Sequence, residues 1–211
     1  IGNALIGDCG SNLIHRKRVI PNGIVNVASR YPEDSASEFV ASTDNWFRPV
    51  QFANAPDGSM WVADMSREVI EHPWSLPENI KRHLDLNHGN QAGRIYRIAS
   101  IENEVEHDRS LGGLSADSLV KVLAHPNGWH RDTASRLLIE RPDSTTKESL
   151  FSLFRETPND LARVHALYIL NSHSWLGSKE IEAGLADSSP VVRIHSLRLL
   201  ELQNEELDSH L

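Results

Sequence analysis

Asp64, Arg67, Glu68, Glu71 and His72 crowd into one short stretch after an apolar run. Carboxylate and imidazole are ligands that a divalent transition metal takes. Glu68 and His72 are four residues apart, so a helical turn would put them on one face. No second motif completes a ligand set. The expectation is therefore a solvated or structural charge network, with no metal. Arg48, between Phe47 and Pro49, is the next candidate. Its planar fork suits an anionic ligand, or a carboxylate of the chain itself such as Asp64.

Imidazoles recur further on. His125 and His130 flank Trp129. His165 and His195 each lie two residues after an arginine that recurs at positions 131, 163 and 193. Matched histidines invite a metal or haem reading. A repeat position that tolerates imidazole explains them more plainly, and that is the expectation. Arg131, Arg163 and Arg193 are expected to bond neighbouring turns as a ladder. Trp46, Trp61 and Trp74 are expected to pack rather than to stack on a sugar. The single cysteine, Cys9, permits no disulfide within the chain and no Cys-x-x-Cys-His haem attachment. It is expected to be a small buried thiol.

The elements that must hold these residues come in two kinds. Up to about residue 100 the chain reads as short strands and turns, at 4–8, 12–20, 23–27 and 38–42. The clearest is a hairpin from 50–53 to 60–64. There Pro56 presets the turn, Asp57 bonds the backbone ahead and Gly58 supplies a positive φ. A short helix is expected at 78–86 and one more strand at 93–99. Residues 101–113 are acidic and end in Gly112-Gly113, as a linker would. From Leu114 to residue 211 the period becomes helical, with six helices in three pairs. Helix starts are expected at Thr157-Pro158 and Ser189-Pro190, each a capping hydroxyl before Pro. Thr145 and Glu148 have the spacing of a capping box. A fixed period with a small residue at one buried position is the signature of stacked helical repeats.

The 211 residues carry a net charge of −8. Residues 101–211 hold 11 Lys and Arg against 18 Asp and Glu, and so carry nearly all of it. A phosphate backbone would be repelled there, which argues against a nucleic acid partner. No apolar run is long enough to span a membrane. Opening at Ile1 without Met, the chain is expected to begin inside a domain.

One long motif is specific. It comprises Asp44-Asn45-Trp46-Phe47-Arg48-Pro49-Val50, Pro56-Asp57-Gly58, Val62-Ala63-Asp64-Met65 and Arg67-Glu68-Val69-Ile70-Glu71-His72-Pro73-Trp74. It continues in His83-Leu84-Asp85-Leu86 and Gly93-Arg94-Ile95-Tyr96-Arg97-Ile98. These residues, with His125-Pro126-Asn127-Gly128-Trp129-His130-Arg131-Asp132, resemble the PVC-type (Planctomycetes and Verrucomicrobia) membrane-bound dehydrogenase-like, haem-binding domain proteins. The resemblance implies a mixed fold, β then α. Residues 1–100 would be the last one to two blades (roughly) of a β-propeller. Residues 114–211 would be an α-solenoid of HEAT-like helix pairs.

It also implies a function. The parent would be an extracytoplasmic, periplasmic or cell-envelope, sugar or polyol dehydrogenase with a quinone (PQQ-like) and haem c. Arg48, Asp64, Arg67, Glu68 and His72 would be candidates for its channel. The fragment itself is expected to be non-catalytic and to hold no cofactor. The alternative is a non-enzymatic module that binds a protein partner through its helical repeats, or a carbohydrate.

Overall fold

The computed structural model describes residues 2–70, 72–101 and 110–208. The chain divides into two compact units, Ile1–Val105 and Glu106–Leu211. The described residues of the first hold seven strands in two sheets. β1 (Asn3–Asp8), β2 (Leu13–Asn22) and β3 (Val25–Arg30) form an antiparallel meander. The two-residue β4 (Val40–Ala41) pairs with the start of β2. β5 (Pro49–Asn54), β6 (Met60–Asp64) and β7 (Arg94–Ile98) form a second antiparallel meander.

The β5–β6 hairpin forms where the Pro-Asp-Gly turn asks for one. Gly58 adopts φ +80°, and Asp57 accepts from the Ser59 N–H at 2.9 Å. The sheets meet where β1 passes β5. A Cβ on Gly7 would overlap the Pro49 carbonyl, so only glycine permits that approach. The apolar core here is small. Ile14, Phe47 and Val62 are buried, with Leu5, Phe39, Val40, Phe52, Met60 and Ile98 against them.

This overturns the expected propeller. The unit contains two small antiparallel sheets, with no closed barrel and no propeller among the described residues. The order β1-β2-β3 with β4 on β2, then β5-β6-β7, supplies no succession of four-stranded blades. Strands and turns of this length also suit sandwiches and barrels, and local alternation does not specify how sheets close. The short helix predicted at 78–86 is only α1 (Glu78–Lys81). The expected linker lies outside the described residues over 102–109.

The described elements of the second unit are helical. The unit comprises α2 (Ala116–Val122), α3 (Gly128–Glu140), α4 (Lys147–Glu156), α5 (Asp160–Ser172), α6 (Ser178–Leu185) and α7 (Pro190–Asp208). α2 packs on α3, α4 on α5 and α6 on α7, while α5 also packs on both α3 and α7. The shared core includes Leu123, Leu137, Leu150, Leu167, Leu170 and Leu199. Each such side chain contributes about 1.5–3 kcal/mol on full burial.

Two predicted helix starts move. α5 is capped by Asn159, whose side chain accepts from the Ala162 N–H, two residues past Thr157. Asp143 accepts from Thr145 and leads into a 3-10 turn, Ser144–Thr146, so no Thr145 capping box forms. Asn and Asp carry the carbonyl-type acceptor that caps best, and they prevail over the nearby threonines.

Candidate functional site

The residues singled out in the first unit converge on Arg48. It precedes β5 and is 9% exposed. Its Nη1 donates to the Cys9 carbonyl at 2.6 Å, its Nε to Arg67 at 2.9 Å and its Nη2 to Glu68 at 2.9 Å. The fork thus meets three backbone carbonyls, neither an anion nor the Asp64 carboxylate. One cation thus ties half-buried carbonyls at the end of β1 to those of the segment after β6.

Asp64 takes the complementary role. One of its oxygens accepts the Arg48 N–H at 2.7 Å and the Ser66 N–H at 2.9 Å. The other lies 2.8 Å from Arg94, which also reaches Asp44 at 2.8 Å. Arg94 holds the Asp44 carboxyl below its ordinary range, helped by the Trp46 N–H. Asp44 in turn raises the Arg94 guanidinium. A similar clamp closes the hairpin turn. The Ser59 hydroxyl and N–H, with Arg97, hold the Asp57 carboxyl down to about 2.

The other channel candidates take partners of their own. The Arg67 side chain donates to the Asn87 carbonyl at 3.2 Å. Glu68 contributes its carbonyl to Arg48. His72 is exposed, and its Nδ1 accepts from the Trp74 N–H at 3.2 Å. Residues 65–70 form no helical turn of the kind that would put Glu68 and His72 on one face. Glu71 lies outside the described residues. Among the described residues no three His, Cys, Asp or Glu side chains converge as a metal site.

Two packing expectations fail. Trp74 is 90% exposed and Trp61 46% exposed, on strand and loop surfaces that the small core leaves uncovered. Cys9 is only partly buried, and its Sγ donates to the Pro49 carbonyl at 3.2 Å.

In the helical unit the recurring arginines brace turns. Arg131 donates to the carbonyls of His125 and Pro126, Arg163 to Thr157, and Arg193 to Asp187 and Ser188. Each therefore closes the turn before its own helix. Arg163 also reaches the next turn, at Asp187, 3.0 Å away.

The matched histidines line neighbouring helices. His165 lies 3.7 Å from Asp132, and the Tyr168 hydroxyl is 3.0 Å from His195 Nδ1. Burial pushes the His165 imidazole below its ordinary range. Arg131 and His195 add to that and Asp132 opposes it. Burial, then Arg198, lowers His195.

One surface feature had no signal in the sequence reading. A groove runs between α2 and α4, with Val120 and Leu153 as apolar lining. Asp117, Glu148 and Glu156 stand around it with one cation, Lys121. Ser149 donates to Asp117 at 3.1 Å across the two helices. Glu148 and Glu156, two turns apart on α4, are visible in the sequence. Their meeting with Asp117 of α2 across a helix pair is not.

Residues 1–102 match a family model described as a domain of unknown function (DUF7133). No curated protein and no solved structure matches the chain.

Proposed function

We propose that this chain is a non-catalytic interaction module whose helical unit binds a protein partner through a basic amphipathic segment. The observation that carries this reading is the α2–α4 groove, where an apolar lining is edged by three carboxylates and one lysine. A helix or extended strand that alternates Lys or Arg with Leu satisfies both features. The acidic excess of residues 101–211 steers such a partner in from a distance.

The chemistry suggested by the resemblance does not fit the residues present. Haem c attachment by two thioethers needs two cysteines, and the chain has Cys9 alone. A quinone carboxylate would look for Arg48, whose guanidinium nitrogens already donate to Cys9, Arg67 and Glu68. Sugar or polyol oxidation in an extracytoplasmic parent therefore belongs, in this reading, to residues outside this site.

The test is a titration of a fluorescein-labelled Lys/Leu amphipathic peptide followed by anisotropy. Binding that weakens with salt and is lost in the Glu148→Lys/Glu156→Lys variant is expected. Absence of binding at low salt, or binding indifferent to that variant, would overturn the reading.

A further inference from the structure

The sequence of α4 balances its charges, two cations against two carboxylates, but the fold separates them. Lys147 and Arg155 lie over the Phe151 ring, 6.0 and 5.8 Å from its centre. Glu148 and Glu156 line the α2–α4 groove instead, with Ser152 between them in the same i, i+4 row. Both glutamates are exposed, and neither makes an ion pair among the described residues.

The rest of the groove is arranged around that row. Leu153 of α4 and Val120 of α2 form the apolar floor. Asp117 and Lys121, one turn apart on α2, form the opposite rim. The hydrogen bond from Ser149 to Asp117, at 3.1 Å, brings the starts of α2 and α4 to the same end. The groove therefore has Asp117 and Glu148 at one end and Glu156 at the other.

Glu148 and Glu156 act as a ruler. Eight residues of helix rise about 12 Å. An extended chain covers that distance in about four residues, a second helix in about eight. The main chain decides between them. An extended segment gains its affinity by bonding a sheet edge, and helices wall this groove. Its N–H and C=O groups would lie over Val120 and Leu153 without partners. A helix arrives with its main chain already bonded, and seats a row of side chains between two ridges.

We infer that the groove takes its partner as an α-helix laid along α4, with two cations eight residues apart astride a leucine, Lys-x-x-x-Leu-x-x-x-Lys. The cations meet Glu148 and Glu156, and the leucine meets Val120 and Leu153. An acidic residue on the other flank of the partner meets Lys121. The inference rests on the reading of this groove as a protein-binding surface, and adds the form and spacing of what it binds.

The test compares two fluorescein-labelled peptides of equal composition by anisotropy on the whole chain. One carries Lys-x-x-x-Leu-x-x-x-Lys and is held helical by a hydrocarbon staple on its far face. The other carries Lys-x-Leu-x-Lys with prolines placed to bar a helix. The helical peptide should bind about tenfold more tightly. Glu148→Lys and Glu156→Lys should each weaken its binding about threefold to fivefold. Both are exposed positions, and circular dichroism confirms that each variant is folded. If the extended peptide binds as tightly as the helical one, the helical form is overturned while the protein-binding reading stands. If only one of the two glutamates matters, the spacing is overturned. If neither peptide binds, both the inference and the reading beneath it fall.

Discussion

The guanidinium of Arg48 donates to the carbonyl of Cys9 at 2.6 Å, fastening the end of β1 to the start of β5. The same side chain takes the carbonyls of Arg67 and Glu68. In a unit whose buried apolar core is Ile14, Phe47 and Val62, such a fastener has unusual weight. Arg48→Lys keeps the charge but loses the fork, and leaves half-buried carbonyls without this donor. It should lower the stability of the first unit by about 2–3 kcal/mol, read as a shifted urea midpoint. An unchanged midpoint would count against the fastener.

Asp64→Asn should act on the same unit. An amide can still accept the two backbone N–H bonds but cannot pair with Arg94. Arg94 is partly solvated, with its side chain 39% exposed, so the loss should be nearer about 2 kcal/mol than that of a fully buried pair. Thermal unfolding of this variant beside Arg94→Gln should show the two effects to be non-additive.

Gly184 of α6 faces Ser196 of α7 so closely that an added Cβ would overlap the serine hydroxyl. Gly184→Ala should destabilise the helical unit by about 1–3 kcal/mol through overpacking. Ser196→Ala in the same chain should recover part of the loss, measured by denaturant melts of the single and double variants.

The helical unit should weaken in mild acid. His165 and His195 titrate below their ordinary range in the folded chain, so the unfolded chain takes up protons first as pH falls. Their contribution is present above about pH 6.5 and declines below it. Asp57 behaves as a depressed carboxylate. Its contribution to the first unit is present above about pH 4 and lost as pH falls toward 2. Melting the chain between pH 7 and pH 5, with and without His165→Gln, should show a shallower decline in the variant.

Local chemistry was legible wherever a few adjacent residues decide the structure. Pro56, Asp57 and Gly58 announce their hairpin, and the helical period announces the second unit. What depends on distant partners was not legible. Arg48 resembled a ligand-binding group because the carbonyls of Cys9, Arg67 and Glu68 lie far from it in the chain. The propeller was implied by the resemblance, and strand alternation, which is the same in any antiparallel sheet, could not correct it. Sheet closure depends on pairings such as β4 with β2, which no single strand encodes. Thr157 looked like a cap beside Pro158, but Asn159 offers the better acceptor two residues on. The recurring arginines were legible as a ladder: each closes its own turn, and Arg163 also reaches its neighbour's at Asp187.

Hydrogen–deuterium exchange of the whole chain with and without a Lys/Leu amphipathic peptide tests the central claim most directly. Slowed exchange in α2 and α4, with the segments around Arg48 and Asp64 unaffected, is the result predicted. Slowed exchange at residues 44–68 with α2 and α4 unchanged would contradict it, and would return the ligand site to the arginine that the structure assigns to its own backbone.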